Sequence, residues 1–191
     1  MKEEKITLSD IFITAGIKSL PINPMTAAAD MGIKVVSYRS MSKNFGKSME
    51  ELYRTSSFGF SFVFENRYCI AVNENCCGEC RQRFTVAHEL GHCVTGDPER
   101  KLSADERRKA ERNADRFAAD FLAPLCVLNY CGVKSPGEIS SLCGISRQAA
   151  EIRFRELTEA RRRGGFLSDA EQRRIVMCFD DFITGYISLK G

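Results

Sequence analysis

The chain predicts an α+β fold, and three observations carry that prediction. Helix-capping signals recur along most of its length, two strand-like runs joined by a two-residue turn lie ahead of residue 75, and the elements follow as helices, a small sheet, then helices. A parallel α/β sheet would instead alternate strand and helix. At 191 residues with 43% hydrophobic side chains, the chain can bury a core without disulfide staples. The expected division is a core over residues 1–130 and a C-terminal helical part over 131–191 packed on it. No internal repeat is visible.

Residues 7–18 read as a short helix capped by Thr7 or Ser9. Asn23-Pro24 opens a second helix, with Asn as N-cap and Pro at the first helical position, and Gly32 ends it. Ile33 to Tyr38 are rich in β-branched residues and read as a strand. Ser48-Met49-Glu50-Glu51 is a capping box that starts another short helix. Strand-like runs near 58–64 and 67–73 flank Glu65-Asn66, a pair suited to a tight hairpin turn. A polar, cysteine-bearing loop over 74–80 leads into a helix over 81–95. There Phe84, Ala87, Gly91 and Val94 recur at helical spacing and are expected to face the core. Gly96-Asp97-Pro98 stops this helix. A second capping box, Ser103-Ala104-Asp105-Glu106, opens a helix that runs to Leu122 ahead of Pro124. Helices near 136–143 and 146–161 follow, with a turn at Gly144. Gly164-Gly165 reads as a hinge, and Ser168-Asp169-Ala170-Glu171 caps a last helix, roughly 169–183.

Composition excludes several classes of function. No apolar run approaches the roughly 18 residues needed to cross a bilayer. The mixed charges of Met1-Lys2-Glu3-Glu4-Lys5 are not followed by a signal-type apolar segment, so the expected compartment is the cytoplasm. A net charge of +3 is too small to argue for nucleic acid, and Arg161-Arg162-Arg163 reads as a solvated helix face. Nine cysteines, an odd number without a secretory signal, read as reduced thiols. Cys76 and Cys77 are adjacent, and the Cys77-to-Cys80 pair lacks a well-spaced partner pair, so no second zinc site is expected there or with Cys93.

The chemistry-bearing pattern is His88-Glu89-Leu90-Gly91-His92. Four-residue spacing puts both imidazoles on one helix face, where two neutral rings can hold one Zn²⁺. Glu89 beside the first histidine is placed to take a proton from metal-activated water. These are the only two histidines in the chain, so compositional bias did not create the pattern. A third ligand must be a carboxylate or a thiolate. Glu111 on the next helix can bind the metal, while Asp115, one turn on, can accept a hydrogen bond from a ligand histidine. Glu106 and Asp120 are rivals on the same helix, and Cys93 points about 100° away from His92. Tyr68, Tyr130 and Arg83 are candidates for a second oxyanion donor.

The run from Arg83 to His92 resembles the signature of the ImmA/IrrE metallopeptidases, and the run from Glu111 to Pro124 resembles their second signature. The similarity extends from about residue 20 to 160. It implies a zincin-like helical core and a gluzincin-like site: His88, His92 and Glu111 on Zn²⁺, with Glu89 as general base. Two departures stand out. Phe121-Leu122-Ala123-Pro124 replaces the family's usual Leu-Leu-Met-Pro, which bears on packing. Asp115 stands where the family often has Asn, and either can accept a hydrogen bond.

The resemblance also implies a partner, because family members are often encoded beside a helix-turn-helix repressor that they cleave or inactivate. The expected function is therefore a zinc endopeptidase acting on such a repressor. The alternatives are a DNA- or repressor-associated regulator whose zinc is structural or sensory, and a binding module without turnover. Leu142 to Ala150 look like the turn and second helix of a helix-turn-helix, with Arg147, Gln148, Arg153 and Arg155 expected on its exposed side. This segment is expected to pack on the core rather than bind DNA directly.

Overall fold

The computed structural model of the chain describes residues 6–76, 78–164, 166 and 169–190. Its elements, in chain order, begin with helices α1 (Leu8–Thr14) and α2 (Pro24–Asp30), strand β1 (Lys34–Ser37), and helices α3 (Tyr38–Phe45) and α4 (Met49–Thr55). A hairpin of β2 (Gly59–Phe64) and β3 (Arg67–Val72) leads to α5 (Glu79–Thr95), a 3-10 turn (Asp97–Glu99) and α6 (Ala104–Leu122). Helices α7 (Leu125–Tyr130), α8 (Pro136–Cys143), α9 (Arg147–Arg162), α10 (Ala170–Cys178) and α11 (Asp180–Ser188) complete an α+β fold. No helix among the described residues is long and apolar enough to cross a membrane. The chain packs as two compact units: Asn23–Ala118, and Met1–Ile22 together with Ala119–Gly191.

In the unit spanning 23–118, a three-stranded sheet has the order β1-β3-β2. β1 runs parallel to β3, and β2 runs antiparallel to it in a register that closes at Phe64 opposite Arg67. The hairpin closes on Glu65 and Asn66, both at positive φ (47° and 59°), as a two-residue turn with the strands' own twist requires. Val36, Tyr38, Met41, Leu52 and Ala71 form one buried cluster, with Phe60 and Phe62 packed against it. α5 packs on β2 and β3 and against α2. Gly59 permits the approach of strand to helix: a Cβ there would lie 2.7 Å from the Thr85 methyl and 2.8 Å from the Ala71 carbonyl oxygen.

The buried stripe of α5 is Val86, Ala87, Leu90 and Cys93. This corrects the expected stripe, because Phe84 and Val94 are only half-buried. Gly91 meets α6 instead: an added Cβ would come within 3.0 Å of the Phe117 ring and 3.3 Å of the Ala114 Cα. The helix thus buries two faces, one against the sheet and one against α6, and a single periodic stripe describes neither.

In the other unit, Phe12 packs against Phe121 and Phe179, with ring centroids 5.6 and 5.4 Å apart. α1 packs on α10, and α7 and α8 on α9. Gly144, in the left-handed conformation, ends α8, and Ser146 caps α9 by accepting from the Ala149 amide. Arg153 is not exposed as expected. It is buried, donates to the Ala123 carbonyl at 2.6 and 3.1 Å, and pairs with Asp120 and Glu156. An arginine that satisfies a helix-end carbonyl is withdrawn from any partner.

The basic run is also engaged. Arg161 donates to Asn129 and the Val133 carbonyl, while Arg162 and Arg163 pair with Glu159. The last helix is broken at Phe179 into α10 and α11. Asp169 caps α10, and Glu171 reaches the Ser9 amide and hydroxyl rather than closing a capping box. Ser168, Gly165 and Cys77 lie outside the described residues.

Candidate metal centre

Helix α5 places His88 and His92 one turn apart, with imidazole Nε2 atoms 3.2 Å from each other. It ends at Gly96, left-handed at φ 69°, and the following 3-10 turn swings Asp97 back beneath the last turn. Asp97 Oδ2 lies 3.0 Å from His92 Nδ1 and accepts from the Thr95 hydroxyl at 2.7 Å. Arg100 approaches the other oxygen at 3.4 Å. From α6, Asp115 Oδ1 lies 2.9 Å from His88 Nδ1. Glu111, one turn earlier, presents its carboxylate 3.3 Å from His88 Nε2 and 3.6 Å from His92 Nε2.

These contacts settle which atoms can donate. A carboxylate opposite each Nδ1 accepts, so each neutral ring carries its proton on Nδ1 and turns the Nε2 lone pair toward the other ring. Two lone pairs and a carboxylate then converge with no hydrogen among them, an arrangement that a cation satisfies. The Nε2–Nε2 separation of 3.2 Å is close to the roughly 3.4 Å between corners of a tetrahedron with bonds of about 2.0–2.1 Å, and each imidazole faces its own Glu111 oxygen, Oε2 for His88 and Oε1 for His92. Among the described residues, His88, His92 and Glu111 form the only group of three or more such side chains gathered this closely. These three donors would leave one position of a four-coordinate ion to be filled, and Glu111 is half-exposed.

The remaining candidates fall elsewhere. Glu106 closes the α6 capping box with Ser103, and Asp120 is held by Arg153. Cys93 is buried, and loss of water pushes its thiol up to about 12, so it stays protonated. The described cysteines form no disulfide with one another, and Cys76 and Cys80 join no metal-binding group among the described residues. The Tyr68 hydroxyl donates to Glu99 at 3.0 Å. Arg83, five residues before His88, lies about 140° around α5 from it. Tyr130 is on α7, in the other unit. Glu89 is buried at 8% exposure in the turn between the histidines and is not one of the converging donors.

Asp97 is the residue that sequence reasoning missed. It was visible only as part of a helix stop, and its role depends on the left-handed turn at Gly96 that reverses the chain.

A helix carrying His-Glu-x-x-His, backed by a small sheet and joined by a carboxylate from the next helix, defines a metallopeptidase type of centre. The chain belongs to the peptidase M78 family, described as the IrrE N-terminal-like domain, which it matches over residues 28–155. That match spans both signature runs and more than half the chain. A search of curated proteins finds no match.

Proposed function

We propose that this protein is a zinc-dependent endopeptidase. The observation that carries the reading is the convergence of three acceptor atoms, from His88, His92 and Glu111, with a buried glutamate next to His88 in the chain at position 89. Two imidazoles and one carboxylate, their ligand atoms within 4.8 Å of one another, suit Zn²⁺ better than Mg²⁺ or Ca²⁺, which prefer all-oxygen shells. A zinc ion held there would supply Lewis acidity to a peptide carbonyl and to an attacking water.

The chain's own residues supply the rest. Asp115 and Asp97 hold the two rings in one tautomer and one orientation, so the lone pairs stay aimed. The Glu89 carboxylate takes a proton from the attacking water and passes it to the amide nitrogen of the leaving chain. Water adds across the C–N bond, and a carboxylate and an amine depart. A site built only to hold metal would have no use for a buried carboxylate beside its ligands.

The substrate is a protein, and family resemblance points to a DNA-binding helix-turn-helix repressor in the cytoplasm, with a role in transcription regulation. The test is to incubate zinc-loaded protein with the repressor encoded beside it and to map products by mass spectrometry, with Glu89→Gln as control. Cleavage at one or a few sites, reduced about 10²-fold or more by Glu89→Gln, supports the proposal. Equal cleavage by both proteins sinks the mechanism. Zinc retention without cleavage of the repressor or of any other protein favours a sensory or structural metal.

A further inference from the structure

We propose that Arg81 is a substrate-recognition residue that selects an acidic side chain about three residues from the bond to be cut; this rests on the peptidase reading above. Arg81 lies on α5 with both histidines. At about 100° per residue, His88 falls about 20° to one side of it and His92 about 20° to the other. Arg81 therefore sits on the same line of the helix as the metal-facing imidazoles. Seven residues at about 1.5 Å each separate it from His88 by about 10.5 Å. An extended peptide rises about 3.3 Å per residue, so that gap spans about three substrate residues.

The side chain is held ready. Its guanidinium carbon lies 4.3 Å from the ring centroid of Phe58, just before β2, and 5.9 Å from that of Phe84. The Phe84 ring in turn lies 6.2 Å from the His88 ring, which makes one continuous surface from Arg81 to the metal site. A cation–π contact of this kind consumes no N–H donor in a hydrogen bond, which leaves the guanidinium able to donate to a carboxylate. Arg81 is exposed, and no carboxylate pairs with it among the described residues. Arg39, Arg54, Arg100 and Arg108 of the same unit each meet an acidic partner, and Arg67, Arg107 and Arg112, which like Arg81 meet none among the described residues, lack its two ring contacts. A structural staple would need the stacking alone. An unpaired, pre-oriented cation in line with the reactive centre suits an incoming anion, with little side-chain freedom left to lose on binding.

The experiment uses the whole zinc-loaded chain and a set of quenched-fluorescence decapeptides in which Glu, Gln or Lys is placed at each position in turn. The expected result is preferred cleavage two to four residues from Glu, by about fivefold over Gln, expressed in KM rather than kcat and weakening with added salt. Arg81→Met, which keeps an apolar group against both rings, collapses the Glu-to-Gln ratio to near one, and Arg81→Glu shifts preference to Lys. A Glu preference that survives Arg81→Met, or no preference at any position, overturns the proposal. The same dye-labelled peptides, titrated by anisotropy against zinc-loaded Glu89→Gln, read recognition without turnover. Glu-over-Gln binding that Arg81→Met removes supports the Arg81 site even if no peptide is cut. Equal binding overturns it whatever becomes of the peptidase reading.

Discussion

The two histidines of the metal centre are oriented by carboxylates in unlike surroundings. His92 is held from within its own chain segment by Asp97, whose side chain is 10% exposed and also receives the Thr95 hydroxyl. His88 is held across helices by Asp115, whose side chain is 62% exposed. Both hydrogen bonds are close to 3 Å, so distance does not separate them. Burial does. Water can replace Asp115 as an acceptor at small cost, whereas removal of Asp97 leaves the N–H of the His92 imidazole, itself 10% exposed, in a site that water reaches poorly. The His92 side of the centre is thereby pre-organised, and the side facing α6 is adjustable.

The largest effect should come from the α6 side itself. Glu111→Ala removes a converging donor, and zinc affinity should fall by more than about 10²-fold, as read by competition with a chromogenic chelator. The melting temperature of the metal-free protein should hardly move, since Glu111 is 56% exposed. Unchanged affinity would remove Glu111 from the ligand set.

Asp97→Ala comes next. It should weaken zinc binding by about 10–100-fold and destabilise even the metal-free fold by about 1–3 kcal/mol in denaturant titration. Asp97→Asn, which keeps one acceptor oxygen, should recover most of both. Asp115→Ala should cost at most about tenfold in zinc affinity and under about 0.5 kcal/mol in stability. If Asp115→Ala proved as damaging as Asp97→Ala, the contrast drawn from burial would fail.

The smallest effect concerns reactivity. Burial pushes the Cys93 and Cys126 thiols up to about 12, so both remain protonated and unreactive at pH 8, while Cys80 is exposed. Brief alkylation of the native protein with iodoacetamide, followed by peptide mapping, should mark Cys80 and spare Cys93 and Cys126. Labelling of Cys93 at a rate like that of Cys80 would show that the face α5 turns to the sheet is open to solvent.

The same contrast between local and non-local causes explains what the sequence disclosed. Features fixed within a few residues were legible. The Ser48 and Ser103 capping boxes, the Asn23-Pro24 helix start, the Glu65-Asn66 turn and the His88 to His92 spacing each follow from nearby chemistry. Features decided by partners far along the chain were not. Helix α3 went unseen because the strand reading of Ile33 to Tyr38 ran over its Ser37 cap, and its first two amides are satisfied by Glu74, thirty-five and thirty-six residues away. α7 is six residues long and lacks a side-chain cap. Arg153 looked exposed because nothing adjacent reveals the Ala123 carbonyl it serves. Glu171 fitted a capping box and instead caps the far end of the chain at Ser9. Asp97 is a different case: its partners His92 and Thr95 are close in sequence, but a turn signal carries no hint of where its side chain will point.

The most direct measurement of the central claim is zinc K-edge X-ray absorption on the purified, zinc-loaded protein. The account predicts one zinc per chain, bound only by nitrogen and oxygen at about 2.0–2.1 Å, with scattering from two imidazoles. It also predicts that one imidazole signature disappears in His92→Ala. Sulfur ligation at about 2.3 Å, or a spectrum unchanged by loss of His92, would place the metal elsewhere and contradict the account.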